Sequence, residues 1–424
     1  MDTLTVLGGG SAYTPGLLQA LIAHAHELPL TTVRLYDSDP ERLAIVTRLG
    51  AAMARSAATF KVEAANSLDE AVRGASLVLN ATRPGGLAAR RIDETLPLEF
   101  DIPGQETVGP GGFFYALRSV PEALRVADAM ARLAPQAILL NYTNPSNIVT
   151  QALVDQGKVK VIGLCDQSDE DLQSLAQALG RTGLHTFRCN GLNHATWYSD
   201  IAIAGAPLGE LPGQLEAPAE FDEEHQLRFA YEREMARAEE GMWPNSYLPY
   251  YLHPQAFVQQ ARRVGPRSDA VAATLERYYA HFVEQGALEH PQLRLFRGSA
   301  GFGDMAVSVI RALASEQPRE LVLNLPNHGA STEFADDCVV ETLVRVSRHG
   351  LQRMPAPALP ASFRGLAAGL ENYQRLSARA ATGRALAPRV AALAANPLVG
   401  HAELAARMLA RAEQSYGALI GWEK

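Results

Sequence analysis

Leu4-Thr5-Val6-Leu7-Gly8-Gly9-Gly10-Ser11 opens the chain with a short β-type apolar run that stops on three successive glycines. Glycines at 8 and 10 permit a tight turn and close approach of the backbone to another group. The segment that follows, 13–25, carries helical spacing opened by Thr14-Pro15 as N-cap and first-turn proline. Strand, glycine turn and helix form the unit that seats a pyrophosphate on a helix N-terminus. Tyr13 stands where the dinucleotide fingerprint has its third glycine, so the turn by itself is equally an ordinary one.

Reading outward, Thr32-Val33-Arg34-Leu35-Tyr36 is a second strand that ends on Asp37, and a helix is expected over 40–58. An acid at that strand end accepts hydrogen bonds from an adenosine ribose and repels the extra phosphate of NADP. Gly8, Gly10, Ser11 and Asp37 together therefore predict NAD; the plainer alternative makes Asp37 a turn residue with Asp39-Pro40. Further strands are expected at 76–80, 137–141 and 159–164, with helices over 121–133 and 145–155. Residues 1–165 thus read as a Rossmann-type, doubly wound parallel sheet covered on both faces, a nucleotide-binding domain. Residues 166–424 read as a mixed, mainly helical C-terminal domain. Its pieces are a Pro- and Gly-rich stretch at 205–220, helices over 223–240 and 269–285, and one strand-like run, Leu321-Val322-Leu323-Asn324. An Ala-rich helical pair over 363–414, broken at Asn396-Pro397, closes the chain.

A length of 424 residues calls for two domains. A formal net charge of -8 without any basic block excludes nucleic acid and anionic membrane as partners. Met1-Asp2-Thr3-Leu4 begins no secretory leader, and no run of about 18 apolar residues occurs, so a cytoplasmic protein is expected. Cys165, Cys189 and Cys338 make no disulfide framework, which suits a reducing compartment.

Cys165 follows an apolar strand and so falls at a carboxyl end, where open α/β sheets bind ligands. With His194 of Gly191-Leu192-Asn193-His194 it could hold a divalent ion that leaves positions open for substrate; a buried cysteine and a core histidine are the plain alternative. Asn141-Tyr142-Thr143-Asn144-Pro145-Ser146 ends another strand. Its amides can meet a nicotinamide or a sugar hydroxyl, although Asn-Pro also starts helices. Arg83-Pro84-Gly85-Gly86, Arg90 and Gly104-Gln105-Glu106-Thr107 with Gly109, Gly111 and Gly112 fill a long glycine-rich connection of the kind that carries function.

These segments, together with Asp93-Glu94, Cys165-Asp166, Asn245-Ser246-Tyr247-Leu248 with Tyr250-Tyr251, Arg297-Gly298-Ser299 and Asn396-Pro397-Leu398, run in an order that resembles glycoside hydrolase family 4. Its members are the NAD- and divalent-metal-dependent glycosidases, and the likeness is to the 6-phospho-glucosidase branch, 6-phospho-β-glucosidases above all. The resemblance implies a lactate/malate dehydrogenase-like fold and NAD with Mn2+ or another divalent ion as cofactors. It implies hydrolysis by oxidation at sugar C3, C2 deprotonation, elimination, water addition and re-reduction, outside the two-carboxylate scheme of most glycosidases. By the same resemblance Cys165 and His194 are metal ligands, Tyr247 is the C2 base and Asp166 the leaving-group acid. Asn144 contacts cofactor or substrate, and Arg83, Arg90, Asn144 and Arg297 receive a 6-phosphate. A phosphorylated glucoside as substrate and a homodimer or homotetramer are implied as well. Alternatives stay open: Tyr247 as a packing residue of a Tyr-rich helix, Asp166 as a helix N-cap, and an α-linked or unphosphorylated substrate. From other classes come an NAD-dependent hydroxy-acid dehydrogenase and a redox-sensing NAD module.

Overall fold

The computed structural model describes residues 2–55, 58–296 and 301–421. Six strands pair in parallel: β1 (Thr3–Leu7), β2 (Thr32–Tyr36), β3 (Lys61–Ala64), β4 (Leu77–Asn80), β5 (Ile138–Asn141) and β6 (Lys160–Gly163). Their spatial order, β3-β2-β1-β4-β5-β6, reverses between β1 and β4, the switch point at which doubly wound sheets open a crevice at their carboxyl ends. The sequence explains the layering. Leu77 and Leu79 of β4 join one apolar core while Val78 between them joins the other, and Leu139 and Leu140 of β5 split the same way. Side chains alternating across a sheet that is covered on both faces favour apolar residues at successive positions, and all four residues of β4 are buried, Asn80 at its carboxyl end donating to Asn141 at 3.1 Å.

β7 (His185–Leu192) and β8 (Ala195–Ile203) form an antiparallel hairpin in a second sheet, to which β9 (Ala206–Pro207) and β10 (Trp243–Pro244) add short edges. The chain then returns: β11 (Arg319–Pro326), β12 (Val339–Ser347) and β13 (Gly350–Arg353) extend the first sheet to nine strands, β11 running antiparallel to β6. The sheet expected to be wholly parallel is therefore mixed. Of its three added strands only the stretch 321–324 is read from the sequence; Val339–Ser347 has five Val and Leu residues, but Glu341, Thr342 and Arg345 interrupt the run.

Other corrections concern helices. The helix Thr14–Ala23 has Tyr13 at its N-cap and no side-chain capping bond, so Thr14 is its first residue and not its cap. Helix Pro40–Ala54 stops short of 58; Asp39 caps it by accepting the Arg42 N–H at 3.0 Å. The glycines at 109, 111 and 112, expected in a loop, instead open the 25-residue helix Gly109–Leu133, which contains Pro121 in its interior. A Cβ added at Gly111 or Gly112 would run into the carbonyls of Gln105 and Thr107, so these glycines serve close packing of helix on loop. The Ala-rich end forms three helices, Arg364–Thr382, Leu386–Ala394 and Ala402–Tyr416, where a pair was expected. Among the described residues no helix is long and apolar enough to cross a membrane.

Candidate active site

A cleft of about 1240 Å³ opens over the carboxyl ends of the parallel strands. Gly8, Gly10 and Ser11 line it with Asp37; so do Arg83, Arg90 and Asn144; so do Cys165, Asp166, His194 and Tyr247. Arg297 lies outside the described residues.

The glycine turn is held from below. Gly8 and Gly9 donate their N–H groups to the Tyr36 carbonyl at 3.0 and 2.9 Å. Gly8 has φ +84°, and a Cβ there would stand 2.7 Å from the Ala81 carbonyl, so only glycine fits. Asp37 accepts the Gly10 N–H at 2.9 Å and the Asp39 N–H at 2.9 Å. The carboxylate thus does belong to the turn with Asp39, and it also ties the end of β2 to the glycine loop.

Cys165 stands two residues past β6, and His194 occupies the two-residue turn between β7 and β8 with φ +64°. The Cys165 Sγ and His194 Nε2 are 3.4 Å apart, and both residues are buried. A hydrogen-bond relay decides which imidazole nitrogen carries the proton. The Gln105 Oε1 accepts the Val108 N–H at 2.8 Å, which identifies it as the amide oxygen, so the Thr107 hydroxyl 2.7 Å away must donate to it. The same hydroxyl lies 2.9 Å from His194 Nδ1 and can only accept there. His194 is therefore protonated on Nδ1 with its Nε2 lone pair facing the thiol. Burial pushes the imidazole down to about 3, so it is neutral at physiological pH. Burial, with Glu341 and Asp166 nearby, pushes the Cys165 thiol well up, so only a strong cation would make it a thiolate.

Among the described residues no group of three His, Cys, Asp or Glu side chains is placed to hold a metal. Two protein donors, one sulfur and one nitrogen, nevertheless fit a divalent ion: at ordinary bond lengths and tetrahedral angles such donors stand about 3.5 Å apart. The oriented imidazole completes the arrangement. Substituting Thr107 by valine removes the acceptor without changing volume; titration with Mn2+ is expected to show affinity weaker by about 10–100-fold, and unchanged affinity would sever Thr107 from the site.

The hairpin turn is fixed from behind. Asn193 donates to Glu341 Oε1 at 2.8 Å, and Thr196 donates to Oε2 at 2.6 Å. Asn324 of β11 also reaches Oε1, at 3.2 Å. The returning strands therefore plant a buried carboxylate beneath the turn that carries His194, which is why the apparently separate C-terminal strands matter to the site.

Tyr247 precedes the short helix Pro249–Leu252 and is not part of a long Tyr-rich helix. Its ring stacks on the His194 imidazole with centroids 4.1 Å apart and planes 6° from parallel. Burial raises its hydroxyl above the ordinary range, opposed by the guanidiniums of Arg228 and Arg267. Asp171 holds the preceding residues, accepting from Tyr198 at 2.8 Å and from the Asn245 side chain at 3.0 Å. Asp166 sits at the N-cap position of helix Gln167–Ala178 but makes no side-chain capping bond, so its carboxyl is left for the cleft; burial raises its pKa, as suits an acid. Asn144 Oδ1 accepts the Ser146 N–H at 3.2 Å, leaving its amide NH2 toward the cleft.

The two described arginines expected to meet a phosphate are already engaged. Arg83 pairs with Glu106; Arg90 pairs with Glu94 at 2.7 Å and with Glu106 at 3.2 Å. Sequence reading missed Arg228, which is buried against Tyr247. The available signal was its register: 228, 232 and 236 fall on the buried face of helix Glu223–Ala238, where a charge is unexpected.

Comparison with known proteins follows the same lines. A family model described as Family 4 glycosyl hydrolase matches residues 3–180, and its C-terminal domain model matches residues 189–399. A probable 6-phospho-beta-glucosidase of Bacillus subtilis is 29% identical over 421 residues, covering 96% of this chain and 94% of that one. The crystal structure of a 6-phospho-alpha-glucosidase from gut microorganisms, in complex with NAD and Mn2+, superposes with a TM-score of 0.87 at 24% identity, covering 100% and 99% of the two chains. Malate dehydrogenase from Plasmodium falciparum superposes at 0.53 with 10% identity over 90% of this chain and 99% of its own, a likeness of fold alone. With its two halves matched in succession by the two domains of one family, this chain belongs to the family 4 glycosyl hydrolases.

Proposed function

We propose that this glycosidase hydrolyses 6-phospho-glucosides, β-linked ones preferentially, with NAD and a divalent ion, Mn2+ foremost, as cofactors. One observation carries the reading: the Cys165–His194 pair, 3.4 Å apart, shares a cleft with the Gly8–Gly10 turn and Asp37. The names of relatives support the substrate class, since the Bacillus subtilis protein and the superposed crystal structure are both called 6-phospho-glucosidases.

When bound, NAD supplies a reversible hydride acceptor for sugar C3 and the ion a Lewis acid on the neighbouring hydroxyl oxygens, which together acidify the C2 proton. Residues 1–165 would bind the dinucleotide, through Gly8, Gly10, Ser11 and Asp37 with Asn144, and residues 166–424 would complete the metal and substrate site. Cys165 and His194 hold the ion. Tyr247 removes the C2 proton, its ring kept in register by the stack on His194. Asp166 protonates the departing glycosidic oxygen. Asn144 positions substrate or cofactor, and Arg83, Arg90 and Arg297 belong to the 6-phosphate end. Three free cysteines suit work in the reducing cytoplasm, and family resemblance supports a homodimer or homotetramer. A second reading, an α-linked substrate, is favoured by the half-buried carboxyl of Asp166, which makes no capping bond and stands next to Cys165.

The test uses chromogenic α- and β-linked glucosides with and without a 6-phosphate, in the presence of NAD+ and Mn2+. Release of aglycone without build-up of NADH is expected; steady NADH production would mark a dehydrogenase, and neither would mark a sensor. For the cofactor, Asp37→Ser is expected to narrow the preference of NAD+ over NADP+ by about 10–100-fold, because the ribose acceptor and the charge opposing the extra phosphate go together. Dissociation constants for the two nucleotides check this, and an unchanged ratio would remove Asp37 from cofactor recognition.

A further inference from the structure

Tyr247 sits in a stretch with little regular structure to hold it. Residues 245–248 leave the two-residue edge strand β10 and turn into the helix Pro249–Leu252, the Leu248 N–H donating to the Asn245 carbonyl at 3.0 Å. A side chain from a distant part of the sequence fixes this turn. Asp171, 3% exposed on the helix Gln167–Ala178, accepts at one carboxyl oxygen from the Tyr198 hydroxyl at 2.8 Å, the Asn245 amide at 3.0 Å and the Ser246 N–H at 3.3 Å. Its other oxygen accepts from Gln167 at 2.8 Å. Asn245, wholly buried, passes the constraint on: its Oδ1 accepts the Tyr247 N–H at 3.1 Å, and its own N–H donates to the Thr196 carbonyl at 2.8 Å. Because Oδ1 receives an N–H, the amide nitrogen of Asn245 is the end that faces Asp171.

We propose that Asp171 is the positioning residue of the base and sets where the Tyr247 ring stands relative to the Cys165–His194 pair. The inference rests on the reading of Tyr247 as the C2 base and adds the group that aims it. The helix that carries Asp171 begins directly after Cys165 and Asp166, past the carboxyl end of β6. One rigid element therefore follows on from the proposed metal donor and acid and, one turn along, presents the carboxylate that grips the turn of the base. Proton removal needs the phenol oxygen within hydrogen-bond reach of the sugar C2 proton, and about 1 Å of drift costs about a hundred-fold. A carboxylate that accepts four bonds holds such a placement firmly, because releasing it would strand several buried donors.

Asp171→Ala, Asp171→Asn and Asn245→Ala are compared with the wild type, with NAD+ and Mn2+ present, on a 6-phospho-glucoside carrying hydrogen or deuterium at C2. Dissociation constants for NAD+ and Mn2+ are measured alongside. Both alanine variants are expected to lose about a hundred-fold in kcat, with KM within about threefold and both affinities within about twofold. Their C2 isotope effect should be no smaller than that of the wild type, since the slowed step is proton removal. Asparagine keeps an acceptor for Tyr198, Asn245 and Ser246 once Gln167 turns its amide, so it should recover kcat to within about tenfold of the wild type. With Asn245→Ala it also covers the case in which Asp171→Ala prevents folding. Wild-type kcat in the alanine variants would overturn the proposal. A lowered kcat with equal losses of NAD+ and Mn2+ affinity, or with a shrunken isotope effect, would overturn it too and make Asp171 a general support of the fold. A wild type without any C2 isotope effect, whose product keeps the deuterium, would sink the reading of Tyr247 as base and Asp171 with it.

Discussion

Replacing Cys165 by serine is expected to cut hydrolysis by roughly a thousand-fold or more while leaving NAD+ affinity within about twofold. The sulfur is one of two protein donors in the candidate metal pair, and a hydroxyl cannot replace it as a soft, readily deprotonated ligand for the ion. The glycine turn is held by Tyr36, Asp37 and Tyr279, whereas Cys165 faces His194. Activity and cofactor binding should therefore separate. Turnover assays across Mn2+ concentrations, paired with a fluorescence titration of NAD+, read both; retained activity would remove Cys165 from the site.

The second large effect concerns stability. Arg118 lies in helix Gly109–Leu133 and makes a forked pair with Asp93, at 3.0 and 2.7 Å, with both side chains almost wholly buried. It also donates to the Phe114 and Pro84 carbonyls, and Tyr416 of the C-terminal helix donates to Asp93 at 2.6 Å. One cluster thus ties the loop that carries Arg83 to three helices. Burial pushes the Asp93 carboxyl up to about 6 against the pull of Arg118, so at neutral pH it is still ionised. Arg118→Met strands that charge and is expected to cost about 3–5 kcal/mol, seen as a lower urea midpoint. The double substitution Asp93→Leu, Arg118→Met should recover part of the loss. An unchanged midpoint in the single variant would mean that the pair contributes nothing to the fold.

What could be read from the sequence, and what could not, divides along physical lines. The strands β1, β2, β4, β5 and β6 are short apolar runs at regular spacing, because a sheet buried on both faces admits little else, and Cys165 was found from its position past β6. The hairpin β7–β8 escaped notice because its buried positions include Asn190 and Thr196, with Asn193 in its turn; the latter two bond to Glu341, a partner more than 140 residues away. Nothing local marks that pairing. Pro121 read as a helix start because proline favours the first turn, whereas it lies mid-helix, and the true start was hidden by glycines selected for close packing. Arg83 and Arg90 read as free cations, since their neutralisation by Glu94 and Glu106 is a tertiary fact; so is the packing of Arg228 on Tyr247.

The central claim is that hydrolysis passes through removal of the C2 proton by a side chain of this cleft, with Tyr247 as base. The most direct measurement is hydrolysis in ordinary water of a 6-phospho-glucoside deuterated at C2, with mass analysis of the glucose 6-phosphate released. The account predicts loss of the label to solvent, together with slower turnover wherever proton removal limits the rate. Product that keeps its deuterium throughout, formed at the rate of the unlabelled substrate, would contradict it.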